Sequence, residues 1–133
     1  MTDEKAGLVK AFQDVTAAWD STGLCLFTSF AWSLDNVAPH MDSACEGDWD
    51  ADRLMETGER IWNLERDFNM RAGLTAADDT LPKRLLEEAA NTGPAEGKVS
   101  GLAEMLPEYY RERGWRQDGH LSDETRERLR LPG

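Results

Sequence analysis

The stretch from Asp50 to Arg71 reads DADRLMETGERIWNLERDFNMR and is the most strongly periodic part of the chain. Its apolar side chains recur at spacings of seven, three and four residues, the repeat of one helical face: Leu54, Ile61, Leu64 and Phe68. We predict that this face is buried and that the charged residues opposite it face solvent or another domain: Glu56, Glu59, Arg60, Glu65, Arg66 and Asp67. Gly73 is placed to end the helix, because glycine readily adopts the left-handed conformation found there.

A second helix is predicted over residues 6–19, ending near Thr22 because Gly23 follows. Its apolar positions also follow a helical repeat, and we expect them to form one buried face: Leu8, Val9, Phe12, Val15, Ala18 and Trp19. The segment over residues 35–47 contains Pro39, which we expect to break it, since proline lacks a backbone N–H.

The C-terminal half is predicted to be helical as well. Residues 78–82, Asp-Asp-Thr-Leu-Pro, have the composition of a helix start, with an acidic or hydroxyl cap and proline in the first turn. A loop over residues 91–101 precedes helices over 102–113 and 123–130, the second of them capped by Ser122. We find no repeat and no alternating strand pattern. The predicted fold class is therefore all-α, a single irregular helical domain over residues 1–133.

The charge balance excludes several classes of partner. With 15 Lys+Arg and 26 Asp+Glu among 133 residues, the formal net charge is −11. Such a domain does not bind nucleic acid by neutralising phosphates, nor does it dock on an anionic membrane. No apolar stretch approaches the roughly 20 residues of a membrane span, and no signal peptide opens the chain. Cys25 and Cys45 are too few for a disulfide-stabilised secreted domain, which predicts a reducing, cytoplasmic location.

The longest uncharged stretch runs from Ser21 to Leu34 and contains Cys25. It is too short to span a membrane and too apolar for a surface loop, so we expect it to be buried against something. Two interpretations of Cys25 stay open: a small buried hydrophobe, which the burial tendency of free cysteine favours, or a metal ligand. Two cysteines cannot build an all-cysteine cluster within this chain. Asp20, at the end of its helix, is interpreted from its position alone as a solvent-exposed aspartate.

Other candidate residues are interpreted as structural. His40 and His120 stand in loop-like surroundings without metal-ligand spacing, and we expect both at the surface. The adjacent acids Asp78 and Asp79 are interpreted as a helix cap rather than a cation site. The aromatic group Tyr109, Tyr110 and Trp115 is expected to lie in the core or at a domain interface.

A resemblance adds to this interpretation. Asp20-Ser-Thr-Gly-Leu-Cys25 resembles the C-terminal cofactor motif of the aldehyde:ferredoxin oxidoreductase family. Further segments match the C-terminal helical domain of that family in order: residues 58–66, Phe68-Asn69, Arg71-x-Gly73, residues 78–84, residues 105–110 and Arg113-Gly-Trp115. The resemblance extends from about Lys10 over nearly the whole chain, and several ordered motifs are more specific than any one.

The resemblance implies an oxidoreductase that converts aldehydes to carboxylic acids at a tungsten or molybdenum ion held by two pterins. Electrons pass through a [4Fe-4S] cluster to ferredoxin. Carried over residue by residue, Cys25 is the fourth cluster ligand, Asp20 accepts hydrogen bonds from a pterin ring, and Leu24 contacts the pterin through its backbone. A carboxylate suits that role because it can accept two parallel N–H bonds. The resemblance places no catalytic residue in this chain.

The departure from the family concerns what this sequence lacks. The three other cluster cysteines and the N-terminal pterin-binding domain have no counterpart here. We therefore expect the cofactors to be shared with the remainder of the enzyme or with a partner chain, and this chain alone to be inactive. In isolation it should expose the apolar stretch that the complete enzyme covers. The alternative is a helical interaction protein descended from that domain, with no metal.

Overall fold

The computed structural model describes residues 5–132, and the residues that open the chain, where we predict no signal peptide, lie outside that range. Six α-helices account for most of this part: α1 Lys5–Ser21, α2 Leu34–Ala44, α3 Ala51–Arg71, α4 Lys83–Glu87, α5 Leu102–Arg113 and α6 Asp123–Arg128. Two 3-10 turns, Leu26–Phe30 and Ala76–Asp78, lie between them. Pairing of β type over residues 5–132 is limited to two isolated bridges, which confirms the all-α prediction. None of the helices described is long and apolar enough to cross a membrane.

Helix α3 has the predicted ends but not the predicted face. Asp50 caps it by accepting a 2.8 Å hydrogen bond from the Arg53 amide, and Gly73 follows its end with φ +103°. The buried positions are Leu54, Gly58, Asn63, Arg66 and Met70. The prediction of an apolar buried stripe is wrong at Leu64 and Phe68, which are 37% and 71% exposed. Arg66, predicted to face solvent or another domain, is buried because distant polar groups pair with it.

Helix α1 crosses α3 and also packs on α5, so its buried face differs from the predicted one. The buried residues are Ala6, Asp14, Ala18 and Trp19, whereas Leu8 and Phe12 are 58% and 63% exposed. The physical reason is that Asp14 turns inward to a buried arginine of α5, Arg113. An inward carboxylate rotates the helix away from the orientation that its apolar residues alone favour.

Pro39 does not break its segment, contrary to the prediction, and lies inside α2. Ser33 and Asn36 form a reciprocal capping box at the start of this helix. Leu34, Val37 and Ala38 are buried against Trp19 and its neighbours. This burial and the cap offset the hydrogen bond that proline cannot donate.

The prediction for residues 78–82 is also corrected. Helix α4 begins after Pro82, and neither aspartate caps it. Asp78 instead accepts hydrogen bonds from the amide and hydroxyl of Thr75, while Asp79 accepts two from Arg66, at 2.7 and 2.6 Å. Residues 91–101 lie outside the helices as predicted, and α5 and α6 form where predicted, although α6 ends at Arg128. The hydroxyl of Ser122 caps α6 by accepting from the Thr125 amide at 3.1 Å.

Two apolar clusters form the core of residues 5–132. The first lies between α1, α2 and α3: Ala18, Trp19, Leu34, Val37, Ala38 and Leu54. The second gathers the C-terminal residues: Tyr110, Trp115, Leu121, Leu129 and Leu131. Tyr109 packs on the second cluster and meets Trp115 edge-on at 5.6 Å, which confirms the core interpretation of this aromatic group.

A polar cluster ties α3 to α5 beside the second core. The Asp79 carboxylate accepts hydrogen bonds from Arg66 and from the hydroxyl of Tyr110. Burial alone would raise the pKa of Asp79, but these hydrogen bonds outweigh it and lower that pKa. Burial and the neighbouring carboxylate raise the pKa of Tyr110 from 10.0 to about 12.

The alkaline titration of Tyr110 is a first prediction. Because its pKa is higher in the folded chain than in the unfolded chain, this group contributes stability that is complete below pH 10 and is lost as the pH rises towards about 12. Phenolate absorbance of the folded chain should show one tyrosine titrating near pH 12, and Tyr110→Phe should remove that step. Asp79→Asn should move the step to lower pH, and a step that stays in place would contradict the assigned cause.

Candidate functional site

The three predicted site residues lie where α1 ends: Asp20 is exposed in its last turn, and Leu24 and Cys25 lie on the exposed turn that follows. Backbone N–H and hydroxyl of Thr22 both donate to the Trp19 carbonyl, at 3.0 and 2.7 Å, and Gly23 reverses the chain with φ +76°. The side chain of Asp20 is exposed, Leu24 is 37% exposed and Cys25 is exposed. The end of α1 and this turn therefore expose the carboxylate, the leucine and the thiol within six consecutive residues.

Cys25 carries a free, accessible thiol. The interpretation that the burial tendency of cysteine favours, a small buried hydrophobe, is therefore wrong. Its backbone is extended, with φ −63° and ψ 132°, and it leads into the turn Leu26–Phe30. Cys45 is also free and exposed, but it follows the end of α2 in a different part of the fold.

The carbonyl oxygen of Cys25 accepts three hydrogen bonds. Donors are the indole N–H of Trp19 at 3.2 Å, the amide of Thr28 at 2.9 Å and the Thr28 hydroxyl at 2.6 Å. Sequence reasoning assigned Trp19 only to the core and did not single out Thr28. The signal available in the sequence was the position of a tryptophan beside the motif, which does not reveal where its indole N–H points.

A groove of about 410 Å³ opens beside Asp20 between α1 and α3. Gln13 and Asp20 line it from α1, and Trp62 and Glu65 line it from α3. Trp62 is held in place because its indole N–H donates to the Gln13 carbonyl at 2.9 Å. Asp20 therefore borders a concave surface rather than standing free on a convex one.

An apolar surface extends from the same turn. Its members are Leu24, Leu26, Phe27, Phe30 and Trp32, of which Phe27 is 75% and Phe30 is 86% exposed. The rings of Phe27 and Phe30 stack with centroids 6.0 Å apart. The expectation that the stretch is buried is thus wrong for the chain by itself, and the expected exposure of this stretch in isolation is confirmed. We call these five residues the 24–32 apolar surface.

The fold of residues 5–132 does not bring the other candidate metal ligands together. Within residues 5–132, no group of three or more His, Cys, Asp or Glu side chains is placed to hold a metal ion. His40 is exposed and stacks on Trp32 at 5.6 Å, and His120 is exposed beside Asp118, so both lie at the surface as predicted.

Comparison with known proteins gives a consistent result. A family model described as "Aldehyde ferredoxin oxidoreductase, domains 2 & 3" matches residues 1–131. The tungsten-containing aldehyde ferredoxin oxidoreductase of Pyrococcus abyssi is 47% identical over 132 residues, which is 98% of this chain and 22% of the relative. Its counterpart in Pyrococcus furiosus is 47% identical over 130 residues, 97% of this chain and 22% of the relative. The chain thus spans 22% of the length of these relatives.

The fold recurs in a solved structure described as "Active site complex BamBC of Benzoyl Coenzyme A reductase in complex with 1,5 Dienoyl-CoA". The TM-score is 0.78 at 22% identity, over 98% of this chain and 20% of that one. At this identity the likeness concerns the fold alone. The family match over residues 1–131 carries the assignment, and this chain belongs to the aldehyde ferredoxin oxidoreductase family.

Proposed function

We propose that the chain is one helical domain of a tungsten or molybdenum aldehyde oxidoreductase. Cys25 supplies one ligand of a [4Fe-4S] cluster, while the Asp20 carboxylate and the Leu24 backbone contact a pterin. The rest of the pterin-binding framework lies outside residues 1–133. The single observation that carries the proposal is that the end of α1 and the turn after it expose Asp20, Leu24 and Cys25 within six residues, with the thiol free and accessible.

The side chains of Cys25 and Asp20 suit these cofactors chemically. Iron–sulfur clusters are held by cysteine thiolates, and Cys25 is not committed to a disulfide. Asp20 takes part in none of the ion pairs or side-chain hydrogen bonds found across residues 5–132, so its oxygens are available as acceptors for ring N–H groups. The groove beside Asp20 leaves room for a planar ring system.

The oxidation of aldehyde to acid and the transfer of electrons to ferredoxin are the chemistry that the bis-pterin metal centre and the cluster supply when bound. The residues of this chain bind and orient. Cys25 would hold the cluster through its sulfur, and Asp20 would orient the pterin edge through its paired acceptor oxygens. When the rest of the enzyme covers the 24–32 apolar surface, which is exposed in this chain, water is excluded beside them and those hydrogen bonds are strengthened. Alone, the chain contains only one cluster ligand, and we expect it to be inactive.

The 24–32 apolar surface is where the remainder of the enzyme packs. Two phenylalanines more than 70% exposed side by side are uncommon on a surface that always faces water. We expect ferredoxin, itself usually acidic, to dock elsewhere, because a net charge of −11 opposes its approach to this domain. The setting is cytoplasmic, and neither nucleic acid nor membrane is a partner.

Cys25→Ser tests the proposal. The chain is co-produced anaerobically with the polypeptide that supplies the remaining ligands, and iron and acid-labile sulfide are measured. We expect Cys25→Ser to lose the cluster and its colour, because a serine hydroxyl is a much poorer iron ligand than a cysteine thiolate. Cys45→Ser is the matched control, since that thiol is also free and exposed but lies at the end of α2, and it should keep the cluster. A full iron content in Cys25→Ser would exclude Cys25 as a ligand.

The alternative function is a metal-free helical interaction protein. The exposure of Phe27 and Phe30 favours it to the extent that an apolar surface also suits binding of another protein. The same experiment separates the two functions. Iron absent from the wild-type assembly as well as from both variants would support the alternative and reject the enzyme.

A further inference from the structure

We propose that Trp19 is a positioning residue: its indole ties the backbone of Cys25 to the core and so sets where the Cys25 thiol stands relative to Asp20. The proposal rests on the proposed function, because it assigns Trp19 a role towards the cluster ligand. It is carried by the hydrogen-bond geometry on both sides of the turn.

Trp19 holds both ends of the segment between Asp20 and Cys25. At the first end, its own carbonyl accepts from the amide and hydroxyl of Thr22, which closes the last turn of α1. At the second end, its indole N–H donates to the Cys25 carbonyl at 3.2 Å. Thr22 extends the network, because its hydroxyl accepts from the Leu24 amide at 3.3 Å. One residue, through its backbone carbonyl at the first end and its indole at the second, thus links the residues that carry the pterin contacts to the residue that carries the thiol.

The anchor itself is rigid. Trp19 is 2% exposed and packs among Ala18, Leu34, Val37 and Leu54. A side chain packed at the density of a protein interior leaves its hydrogen-bonding group little freedom to move. The thiol of Cys25, although exposed, is therefore attached to a backbone position that is hydrogen-bonded directly to a residue of the core.

Thr28 holds the Cys25 carbonyl from the other side. We call the three hydrogen bonds that Trp19 and Thr28 donate to this oxygen the clamp. The amide and hydroxyl of Thr28 donate to the same Cys25 carbonyl, and its own carbonyl accepts from the amides of Ala31 and Trp32. With three donors on one oxygen, the peptide that follows Cys25 has a single orientation. A ligand that meets a preformed cluster benefits from this, since a fixed ligand loses less conformational freedom on binding.

The hydrogen bond of Trp19 could also serve only to satisfy a buried indole N–H, and the test has to distinguish that explanation from the positioning of Cys25. Any buried tryptophan tends to find an acceptor for its N–H, and Trp115 does so at Asn63 Oδ1, 2.7 Å away. Trp115→Phe is therefore the matched control: it removes an indole hydrogen bond of the same kind from the second core, away from Cys25. Trp19→Phe keeps an aromatic ring in the first core and removes the donor to Cys25.

The first measurement is amide hydrogen exchange of the chain by NMR. Losing one hydrogen bond should raise the open population of the turn about fivefold, so the Thr28 amide should exchange about fivefold faster in Trp19→Phe. The Leu74 amide, which closes the end of α3 by donating to Asn69, serves as the reference and should keep its rate. Trp115→Phe should leave the ratio of the two rates unchanged. A ratio unchanged in Trp19→Phe as well overturns the proposal.

A second variant tests the same hydrogen bonds without altering the core, so that its result does not depend on how well Trp19→Phe folds. Thr28 is exposed, and Thr28→Val removes its hydroxyl while keeping its shape. The Trp19 indole N–H should then exchange about fivefold faster, since one of the bonds that hold its acceptor is lost. Equal protection of that N–H in Thr28→Val and wild type would also overturn the clamp.

The third measurement uses the assembly with the remaining polypeptide. Trp19→Phe should retain iron but alter the electron paramagnetic resonance line shape of the reduced cluster, whereas Trp115→Phe should not. An unaltered line shape combined with faster Thr28 exchange would reject the positioning role. The outcomes are separable from the proposed function: iron retained in Cys25→Ser rejects the function and leaves the clamp standing, while unchanged Thr28 exchange rejects the clamp alone.

Discussion

Replacing Arg113 with methionine is expected to lower the free energy of unfolding by about 3 kcal/mol. The Arg113 side chain is 0% exposed, and its Nη1 lies 2.5 Å from Oδ1 of Asp14, which is 2% exposed. Its other nitrogens donate to Gln13 Oε1 at 2.6 Å and to the Tyr109 hydroxyl at 3.0 Å. Methionine matches the unbranched stem of arginine but has no guanidinium and no donor, so a buried carboxylate and two further acceptors lose a partner together.

Because Lys10 remains as a second partner of Asp14, we expect the loss of unfolding free energy to lie near the lower end of the range for a broken buried ion pair. The Nζ of Lys10 lies 2.9 Å from Oδ2 of Asp14, and at 21% exposure it remains as a partial partner. Urea unfolding measures the cost. The double variant Asp14→Asn with Arg113→Met should lose less than the sum of the single changes, because the orphaned charge is removed.

An exposed pair provides the matched control. Arg84 and Glu88 are 83% and 72% exposed with a closest separation of 3.9 Å, so Arg84→Met should change the stability by less than about 0.5 kcal/mol. If Arg113→Met costs no more than this control, the interior of the α1 and α5 contact does not depend on the buried pair.

The buried pair of Asp14 and Arg113 explains which parts of the fold could be predicted from the sequence. Helix ends depend on local signals, and the predicted ends at Gly23 and Gly73 and the predicted Ser122 cap are confirmed, whereas the helix start predicted at residues 78–82 is not. Helix faces depend on partners far along the chain: Asp14 meets Arg113 across 99 residues, and no period of apolar residues reveals that pairing. The inward turn of these charged groups is why Phe12 is exposed although its spacing predicts burial.

The candidate site divides in the same way. Asp20, Leu24 and Cys25 follow from an ordered motif, and the structure exposes all three at the end of α1 and on the turn after it. Burial of the thiol was the wrong expectation, because an apolar composition does not distinguish a core segment from a surface that another polypeptide covers. The contact of Trp19 with the Cys25 carbonyl depends on where one N–H points, and only the geometry shows it.

Gly58→Ala is expected to lower the free energy of unfolding by about 2 kcal/mol net. A Cβ atom added at Gly58 would lie 1.9 Å from the backbone oxygen of Asp14 and 3.1 Å from the nitrogen of Ala18. These are backbone atoms of α1, so no side chain can rotate away and the two helices must separate. Overpacking of this kind costs about 3 kcal/mol, against which alanine regains about 1 kcal/mol of helix propensity.

Gly7→Ala isolates the packing contribution from the propensity contribution. Gly7 also lies within a helix, but its added Cβ would meet only Glu112 Oε2 at 3.7 Å, an ordinary contact. The same substitution should therefore stabilise the chain by up to about 1 kcal/mol at position 7 and destabilise it at position 58. Opposite signs in thermal or urea unfolding would show that close approach of α1 to α3 holds the first core together. Stabilisation by both substitutions would mean that α1 can move away from α3 at little cost, and the anchoring of Trp19 beside Cys25 would then need another source.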